Sequence, residues 1–146
     1  MSVSVAMCTY NGEKFLEQQL NSLSEQSLLP DEIVVFDDCS SDSTVEILRS
    51  FQLKTVIPLR LQINEARKGV VGNFEACLSA CAGKYLALCD QDDIWLPNKL
   101  IHAVGTIKSM KICAFSSDVV AFYQDGSELL IKKSYRQKKF DHFFVV

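Results

Sequence analysis

Three acidic residues fall within four positions directly after an apolar run, in the segment LALCDQDDIWLP at residues 86–97. Asp90 and Asp92 are two residues apart, and alternate residues of an extended chain point to the same side. Both carboxylates could therefore reach one hard divalent cation, Mg²⁺ or Mn²⁺, with coordination positions left for phosphate oxygens. The cation would offset the repulsion between the carboxylates. The alternative is that Asp90 ends a strand while Asp92 or Asp93 caps the next helix.

Two other clusters of polar residues also follow apolar runs. Residues 9–11 (TYN) follow the first run, and residues 37–42 (DDCSSD) follow the second. The carboxyl ends of parallel strands meet at one edge of a sheet, where open α/β proteins bind their ligands. Tyr10 offers a flat face for stacking a base, and an aspartate there could accept a hydrogen bond from a ribose hydroxyl or a base N–H. Core packing of Tyr10, and turn or capping roles for Asp37 and Asp38, are the alternatives.

The elements that must position these clusters alternate along the chain. Strands are expected at residues 3–8, 33–36, 59–63 and 85–89. Helices are expected at residues 13–25, 43–51 and 70–81, and from Pro97 onwards. Such alternation predicts an α/β fold, with a mostly parallel central sheet and helices on both faces. Gly83 is the expected stop of the third helix.

Each predicted helix carries a stripe of apolar residues that should face the core. The stripes comprise Leu16, Leu20 and Leu23 in the first helix, Val45, Leu48 and Phe51 in the second, Val70, Phe74, Cys77, Leu78 and Cys81 in the third, and Leu100, Ile101, Val104 and Ile107 in the fourth. No internal repeat or low-complexity linker interrupts the pattern, so residues 1–146 are expected to form one domain.

The pattern is looser after about residue 112. Strands are expected at residues 112–117, 119–123 and 129–134, with a hairpin turn at Asp125 and Gly126. The last four residues, FFVV, form an apolar stretch that predicts an exposed strand edge. We expect such an edge either to associate with a second copy of the chain or to be followed by further sequence in the intact protein.

Composition narrows the class of protein. The net charge of −3 argues against a nucleic-acid binder, which usually has a basic face. No stretch approaches the about 18 consecutive apolar residues of a membrane-spanning helix, and the first residues lack the features of a signal peptide, so a cytoplasmic location is expected. The six cysteines contain no Cys-x-x-Cys pair. Free thiols are expected, with a soft-metal pair at Cys77 and Cys81 as the alternative.

Three motifs in fixed order resemble the inverting family 2 glycosyltransferases, which have the GT-A fold. The motifs are VAMCTYNGEKFLEQQLNSL, PDEIVVFDDCSSDST and NEARKGVVGNFEACLSACAGKYLALCDQDDIWLPNKL. Each motif alone would be modest, but the combination is specific and covers residues 3–101 strongly and residues 112–146 weakly. The DQDDIW form is similar to a subgroup found in bacterial surface-polysaccharide synthesis, which includes rhamnosyltransferases.

The resemblance implies an activity and a partner set. A sugar would pass from a UDP- or dTDP-linked donor to a glycan or lipid-linked acceptor, with inversion and with Mg²⁺ or Mn²⁺ as cofactor. By the same resemblance, the nucleotide-sugar would be bound by Thr9, Tyr10, Asn11, Asp38, Lys68, Asn73, Asp90 and Gln91, with Asp38 accepting from the pyrimidine N–H. Asp90 and Asp92 would hold the metal. Asp93 and Trp95 would lie on the sugar and acceptor side, although core packing of Trp95 is the alternative.

The resemblance also implies a general base downstream of the metal motif. Asp118, Asp125, Glu128 and Asp141 do not stand in a matching context, so the base is expected beyond Val146. The rival hypothesis is a non-catalytic module that binds nucleotide-sugar. The basic cluster at residues 132–139 predicts a solvated face, or attraction to anionic lipid head groups and peripheral membrane association.

Overall fold

The computed structural model describes residues 2–122 and 126–132. The strands are β1 Val3–Thr9, β2 Glu32–Asp37, β3 Leu59–Ile63, β4 Tyr85–Asp90, β5 Val119–Phe122 and β6 Glu128–Ile131. The helices are α1 Leu16–Ser24, α2 Thr44–Lys54, α3 Gly69–Ala80 and α4 Lys99–Met110. The chain divides into two compact units, Met1–His102 and Ala103–Val146.

The first unit is built on a four-stranded parallel sheet in the order β3-β2-β1-β4. The chain steps outwards from β1 to β3 and then crosses back to place β4 on the other side of β1. Right-handed crossovers therefore put α1 and α2 on one face and α3 on the other. This arrangement confirms the predicted α/β class. The reversal of strand order falls between β1 and β4, which is where ligands bind in such sheets.

The core lies on both faces of β1, as its largely apolar run predicts. Residues 3–7 are all buried. On the α3 side, Ala6, Val34 and Cys77 form a buried cluster. The predicted stripe of α1 is confirmed, since Leu16, Leu20 and Leu23 are at most 1% exposed.

Two residues of the predicted stripes are exposed. Val70 is 74% exposed and Ile101 46% exposed, so their predicted burial is wrong. Val70 lies one turn before Asn73, whose side chain already bonds the Phe36 carbonyl near the end of β2, so Val70 extends past the sheet. In α4 the buried residues are Leu100 and Val104. Ile101 directly follows Leu100, so it lies about 100° further around the helix axis, at the side of the buried stripe.

Two predicted helix starts are too early. The backbone N–H groups of Phe15 and Leu16 both bond the Gly12 carbonyl, which forms a turn before α1. Pro97 likewise belongs to a turn, and α4 begins at Lys99.

Gly83 does not act as a helix stop, because α3 ends at Ala80 and the backbone is already extended at Cys81. A side chain at Gly83 would place its Cβ 2.5 Å from the Ser4 hydroxyl oxygen and 2.6 Å from the Ser4 backbone nitrogen. The Gly83 N–H donates to that hydroxyl at 2.7 Å. The glycine is therefore required by the close approach of β1.

The second unit contains the antiparallel pair β5–β6, which confirms the strands predicted near residues 119–123 and 129–134. The strand predicted at residues 112–117 is wrong, because this segment has no strand partner among the described residues. Gly126 has a φ of 82°, a value that favours glycine. Asp125, the last four residues and most of the basic cluster lie outside the described residues.

All six cysteines are free, as predicted. Within residues 2–122 and 126–132, no helix is long and apolar enough to cross a bilayer.

Candidate functional site

A pocket lies at the carboxyl edge of the sheet, at the reversal of strand order. It brings together four segments that are distant in the sequence. Its lining comprises Cys8, Thr9, Tyr10, Asp38, Arg67, Gly69, Val70, Asn73, Phe74, Asp90, Gln91 and Asp92. The three polar clusters that the sequence placed at one edge therefore meet in one pocket. Of the predicted site residues, Asn11, Lys68, Asp93 and Trp95 are not part of this lining.

The Asp38 carboxylate is almost fully buried in the pocket wall, at 3% exposure. Oδ1 accepts from the Lys68 backbone N–H at 2.7 Å and from the Asn64 amide at 2.9 Å. Oδ2 accepts from the Gly69 N–H at 2.9 Å. Burial favours the neutral form, but these donors and the nearby Arg67 guanidinium outweigh it and lower the pKa of Asp38. A carboxylate has about four lone-pair sites, so one remains for a ligand.

Asp37 has the turn role that was the alternative for this pair. Its carboxylate accepts from the Thr9 hydroxyl at 2.8 Å and from the Ser40 backbone N–H at 2.9 Å. It ties the end of β1 to the loop after β2. The two neighbouring aspartates thus have different surroundings, since Asp37 holds the loop and Asp38 forms part of the pocket lining.

The Tyr10 ring carries a stacked cation. The Arg67 guanidinium lies 3.7 Å from the ring centroid, and its Nε is 3.9 Å from Asp38 Oδ2. Tyr10 is 37% exposed, so core packing, the alternative for this residue, does not describe it. Arg67 therefore occupies one face of the ring, and a flat ligand would have to stack on the other face or displace the guanidinium.

The acidic loop carries the strongest concentration of like charge in the pocket. Partial burial, together with the charges of Asp93 and Asp92, raises the pKa of Asp90. Asp90 ends β4 and Asp92 lies in the following turn, so the backbone between them is not extended as assumed, yet both line the pocket. Because α4 begins only at Lys99, neither Asp92 nor Asp93 stands at its N-cap.

Asp90 and Asp92 could bind a hard cation only together with other ligands. Among the described residues, no three His, Cys, Asp or Glu side chains are grouped so that they could hold an ion by themselves. Mg²⁺ and Mn²⁺ are commonly bound by one or two carboxylates completed by substrate phosphates and water. Burial, together with the charges of Asp93 and Asp92, raises the pKa of Asp90, and a bound cation would offset both effects.

Several predicted site residues are occupied by contacts within the chain. Thr9 is buried and bonds Asp37, and Asn73 is buried between the Asn64 amide and the Phe36 carbonyl. The Asn11 side-chain oxygen accepts from the Ser41 N–H at 2.9 Å. Asn11 has a φ of 47°, a sparsely populated conformation for a non-glycine residue.

Neither Trp95 nor the Lys68 side chain is part of this lining. Trp95 is 3% exposed and its indole N–H has no partner among the described residues, which agrees with the core-packing alternative. The Lys68 ammonium lies 6.0 Å from the centroid of the Phe36 ring, whereas its backbone N–H bonds Asp38.

The sequence model of Glycosyl transferase family 2 matches residues 4–143 of this chain. The chain belongs to that family. The resemblance drawn from the three motifs is therefore confirmed at the level of the family.

A curated relative agrees with this assignment. The chain is 34% identical over 143 residues to the dTDP-rhamnosyl transferase RfbG of Shigella flexneri, and the alignment covers 94% of this chain and 49% of that protein. This family member thus spans about half the length of that curated relative.

Solved structures of longer proteins share the fold. The S. aureus TarS 1-349 complex with UDP-GlcNAc aligns with a TM-score of 0.72 at 30% identity, over 80% of this chain and 34% of the TarS 1-349 chain. The mannosyltransferase PcManGT from Pyrobaculum calidifontis, in complex with GDP-Man and Mn²⁺, aligns with a TM-score of 0.72 at 26% identity, over 80% of this chain and 35% of that one. These similarities support the GT-A fold that the resemblance implied.

Arg67 is one of the pocket residues that the motifs of this family 2 chain did not predict. It lies in the NEARKG segment after β3, whose carboxyl end falls at the same sheet edge as the other clusters. That position was a usable signal. No such signal indicated that Val70 and Phe74 line the pocket, because both were interpreted as part of the core stripe of α3.

Proposed function

We propose that this chain is the donor-binding part of a glycosyltransferase that uses a UDP- or dTDP-linked sugar. The observation that supports it most is the union, in one pocket, of the Tyr10 ring, the buried Asp38 carboxylate and the acidic pair Asp90 and Asp92. A nucleoside diphosphate needs all three features: a stacking surface, an acceptor for a base N–H, and carboxylates to hold the cation that would neutralise the diphosphate.

A pyrimidine base fits the arrangement at Asp38. Uracil and thymine present one ring N–H, and Asp38 keeps one lone pair after its bonds to the chain. Stacking on Tyr10 would fix the plane of the base. Thr9 and Asn73 shape the wall through their buried contacts.

Asp90 and Asp92 are the residues that would hold Mg²⁺ or Mn²⁺. When bound, the cation would neutralise charge on the diphosphate leaving group. The Mn²⁺ in the PcManGT complex supports this assignment. The chain's own contribution is to hold the acidic pair beside the base pocket, where a bound cation would attract the diphosphate.

The acceptor site and the general base require residues outside the described pocket. The carboxylates of the pocket already have other roles in the proposal. Asp38 would bind the nucleobase, and Asp90 and Asp92 would hold the cation. Inverting attack by a glycan or lipid-linked hydroxyl requires another base to take the proton. We place this reaction in bacterial surface-polysaccharide synthesis, on the cytoplasmic side of the membrane, with peripheral membrane association and self-association as further elements of the proposal.

Calorimetric titration with UDP, dTDP and GDP, each with and without Mn²⁺, tests the donor site. We expect UDP and dTDP to bind more tightly than GDP. Their full affinity should require Mn²⁺. Asp92→Asn should weaken Mn²⁺-dependent binding without loss of folded structure. Equal affinity of the unmodified chain for all three nucleotides, or unchanged binding by Asp92→Asn, would contradict the site as drawn.

Transfer itself separates the enzyme from a binding module. A missing general base typically lowers the rate by about 10²–10⁴-fold. We expect this chain to transfer labelled sugar negligibly, and a C-terminally extended chain to transfer it to a glycan or lipid-linked acceptor. Comparable transfer by both chains would show that the base lies within these 146 residues.

A further inference from the structure

The side-chain amide of Gln91 connects the two loops on either side of the pocket. Its Oε1 accepts from the Tyr10 backbone N–H at 2.8 Å, and its Nε2 donates to the Tyr10 carbonyl at 3.1 Å. The β1–β4 ladder has its last partners at Cys8 and Asp90. The Gln91 amide therefore acts as a substitute peptide group and continues the pairing of these strands to Tyr10.

The opposite side of this contact is shaped to admit the amide. A Cβ added at Gly12 would lie 2.4 Å from Gln91 Oε1 and 2.6 Å from its Cδ. Gly12 is buried, and its N–H donates to the Thr44 hydroxyl at 2.8 Å, which holds its backbone in place. The glycine is thus needed for the space that it leaves.

We propose that Gln91 is a positioning residue, which acts on the nucleobase through Tyr10 and makes base affinity depend on the acidic loop. The proposal rests on the proposed function, because it takes Tyr10 as the surface on which a pyrimidine stacks. Both polar atoms of the amide bond the Tyr10 backbone. Gln91 sets the position of the ring and links it to the loop that carries Asp90 and Asp92.

The rival role for Gln91 is direct contact with the diphosphate or sugar, since its side chain also lines the pocket. The two roles differ in the ligand that reports them. Uridine and thymidine carry the base but no phosphate, so a phosphate contact cannot affect their binding. A shift of the Tyr10 ring affects the nucleosides and the nucleoside diphosphates alike.

Two variants break the contact from opposite sides. Gln91→Met keeps the approximate length of the side chain but removes both hydrogen bonds. Gly12→Ala leaves Gln91 unchanged and displaces its amide. Gly105→Ala is the matched control, since a Cβ there meets nothing within 4 Å. Thermal unfolding checks that each variant is folded, and calorimetry or ligand-observed NMR gives the affinities for uridine, thymidine, guanosine, UDP and dTDP.

We expect Gln91→Met and Gly12→Ala to weaken nucleosides and nucleoside diphosphates by a similar factor, on the order of tenfold for two hydrogen bonds. The preference for uridine over guanosine should fall at the same time, which general loss of stability would not cause in the folded fraction. Gly105→Ala should bind as the unmodified chain does. Asp92→Asn should weaken only the diphosphates.

Two results would overturn the proposal. Weaker diphosphate binding with unchanged uridine binding in Gln91→Met would assign the amide to the phosphates. Unchanged affinity for every ligand in Gln91→Met and Gly12→Ala would show that the contact does not matter. In either case pyrimidine diphosphate binding by the unmodified chain would leave the proposed function standing. Absence of that binding would instead contradict the proposed function itself.

Discussion

Asp38 holds the loop between β3 and α3, and Asp38→Asn is the change that tests this role. The carboxylate accepts from Lys68, Gly69 and Asn64. An asparagine oxygen can replace Oδ1, but the amide nitrogen then points a donor at the Gly69 N–H. A hydrogen bond to a charged group contributes about 1.5–3 kcal/mol, so we expect a loss of about 2–3 kcal/mol in the free energy of unfolding at pH 7.

The loss should depend on pH in a definite direction. The pKa of Asp38 in the folded chain lies below its usual value of 3.8. A carboxyl group of this kind stabilises the native state above its unfolded pKa, and the contribution disappears as the pH falls through the folded value. The difference between the unmodified chain and Asp38→Asn is therefore complete at pH 7 and shrinks below about pH 4.

Urea denaturation at a series of pH values measures both quantities. Asp92→Asn is a matched control, because the same chemical change at this exposed position should alter stability by less than about 0.5 kcal/mol. A constant difference between the unmodified chain and Asp38→Asn from pH 7 to pH 3 would refute the assignment of charge to Asp38. A difference at pH 7 no larger than that of Asp92→Asn would refute its structural role.

Two further predictions concern packing and thiol reactivity. Gly83→Ala should lower the free energy of unfolding in urea by about 1–3 kcal/mol, because the new Cβ meets the Ser4 backbone, whereas Gly105→Ala should not. A larger loss of stability in Gly105→Ala than in Gly83→Ala would contradict this packing argument. Iodoacetamide treatment of the native chain, followed by mass spectrometry, should modify exposed Cys113 first and leave Cys77 unmodified, since Cys77 is buried and its pKa is raised to about 12. Equal labelling of both thiols would contradict it.

The meeting of three loops in one pocket could be predicted because it depends on strand order and polarity. Apolar runs identify buried strands, and each polar cluster directly follows one of them. The presence of a strand was harder to predict where an apolar run has no neighbouring strand with which to pair. The apolar residues at 112–117 resemble a strand locally, but a strand forms only with a neighbour to receive its hydrogen bonds.

The chemistry of individual pocket residues was harder to predict, because it depends on contacts between distant segments. Nothing near Gln91 in the sequence indicates that its amide bonds Tyr10. Likewise, the hydrogen bonds that Asp38 accepts from the Lys68 and Gly69 N–H groups depend on a loop some thirty residues away. Gly83 shows the same limit, since local rules explain it as a helix stop and its actual reason is Ser4.

The strand order also determines when the pocket can be completed during synthesis. β1 can pair with β2 once both have left the ribosome, but it can pair with β4 only after Tyr85–Asp90 has emerged. Contacts between distant segments form slowly, because the intervening chain must first lose entropy. The nascent chain can therefore present β1, β2 and β3 as a sheet whose β1 edge is still unpaired, next to an incomplete pocket. We expect the closing of β4 against β1 to be the step that gives the chain its ligand-binding competence.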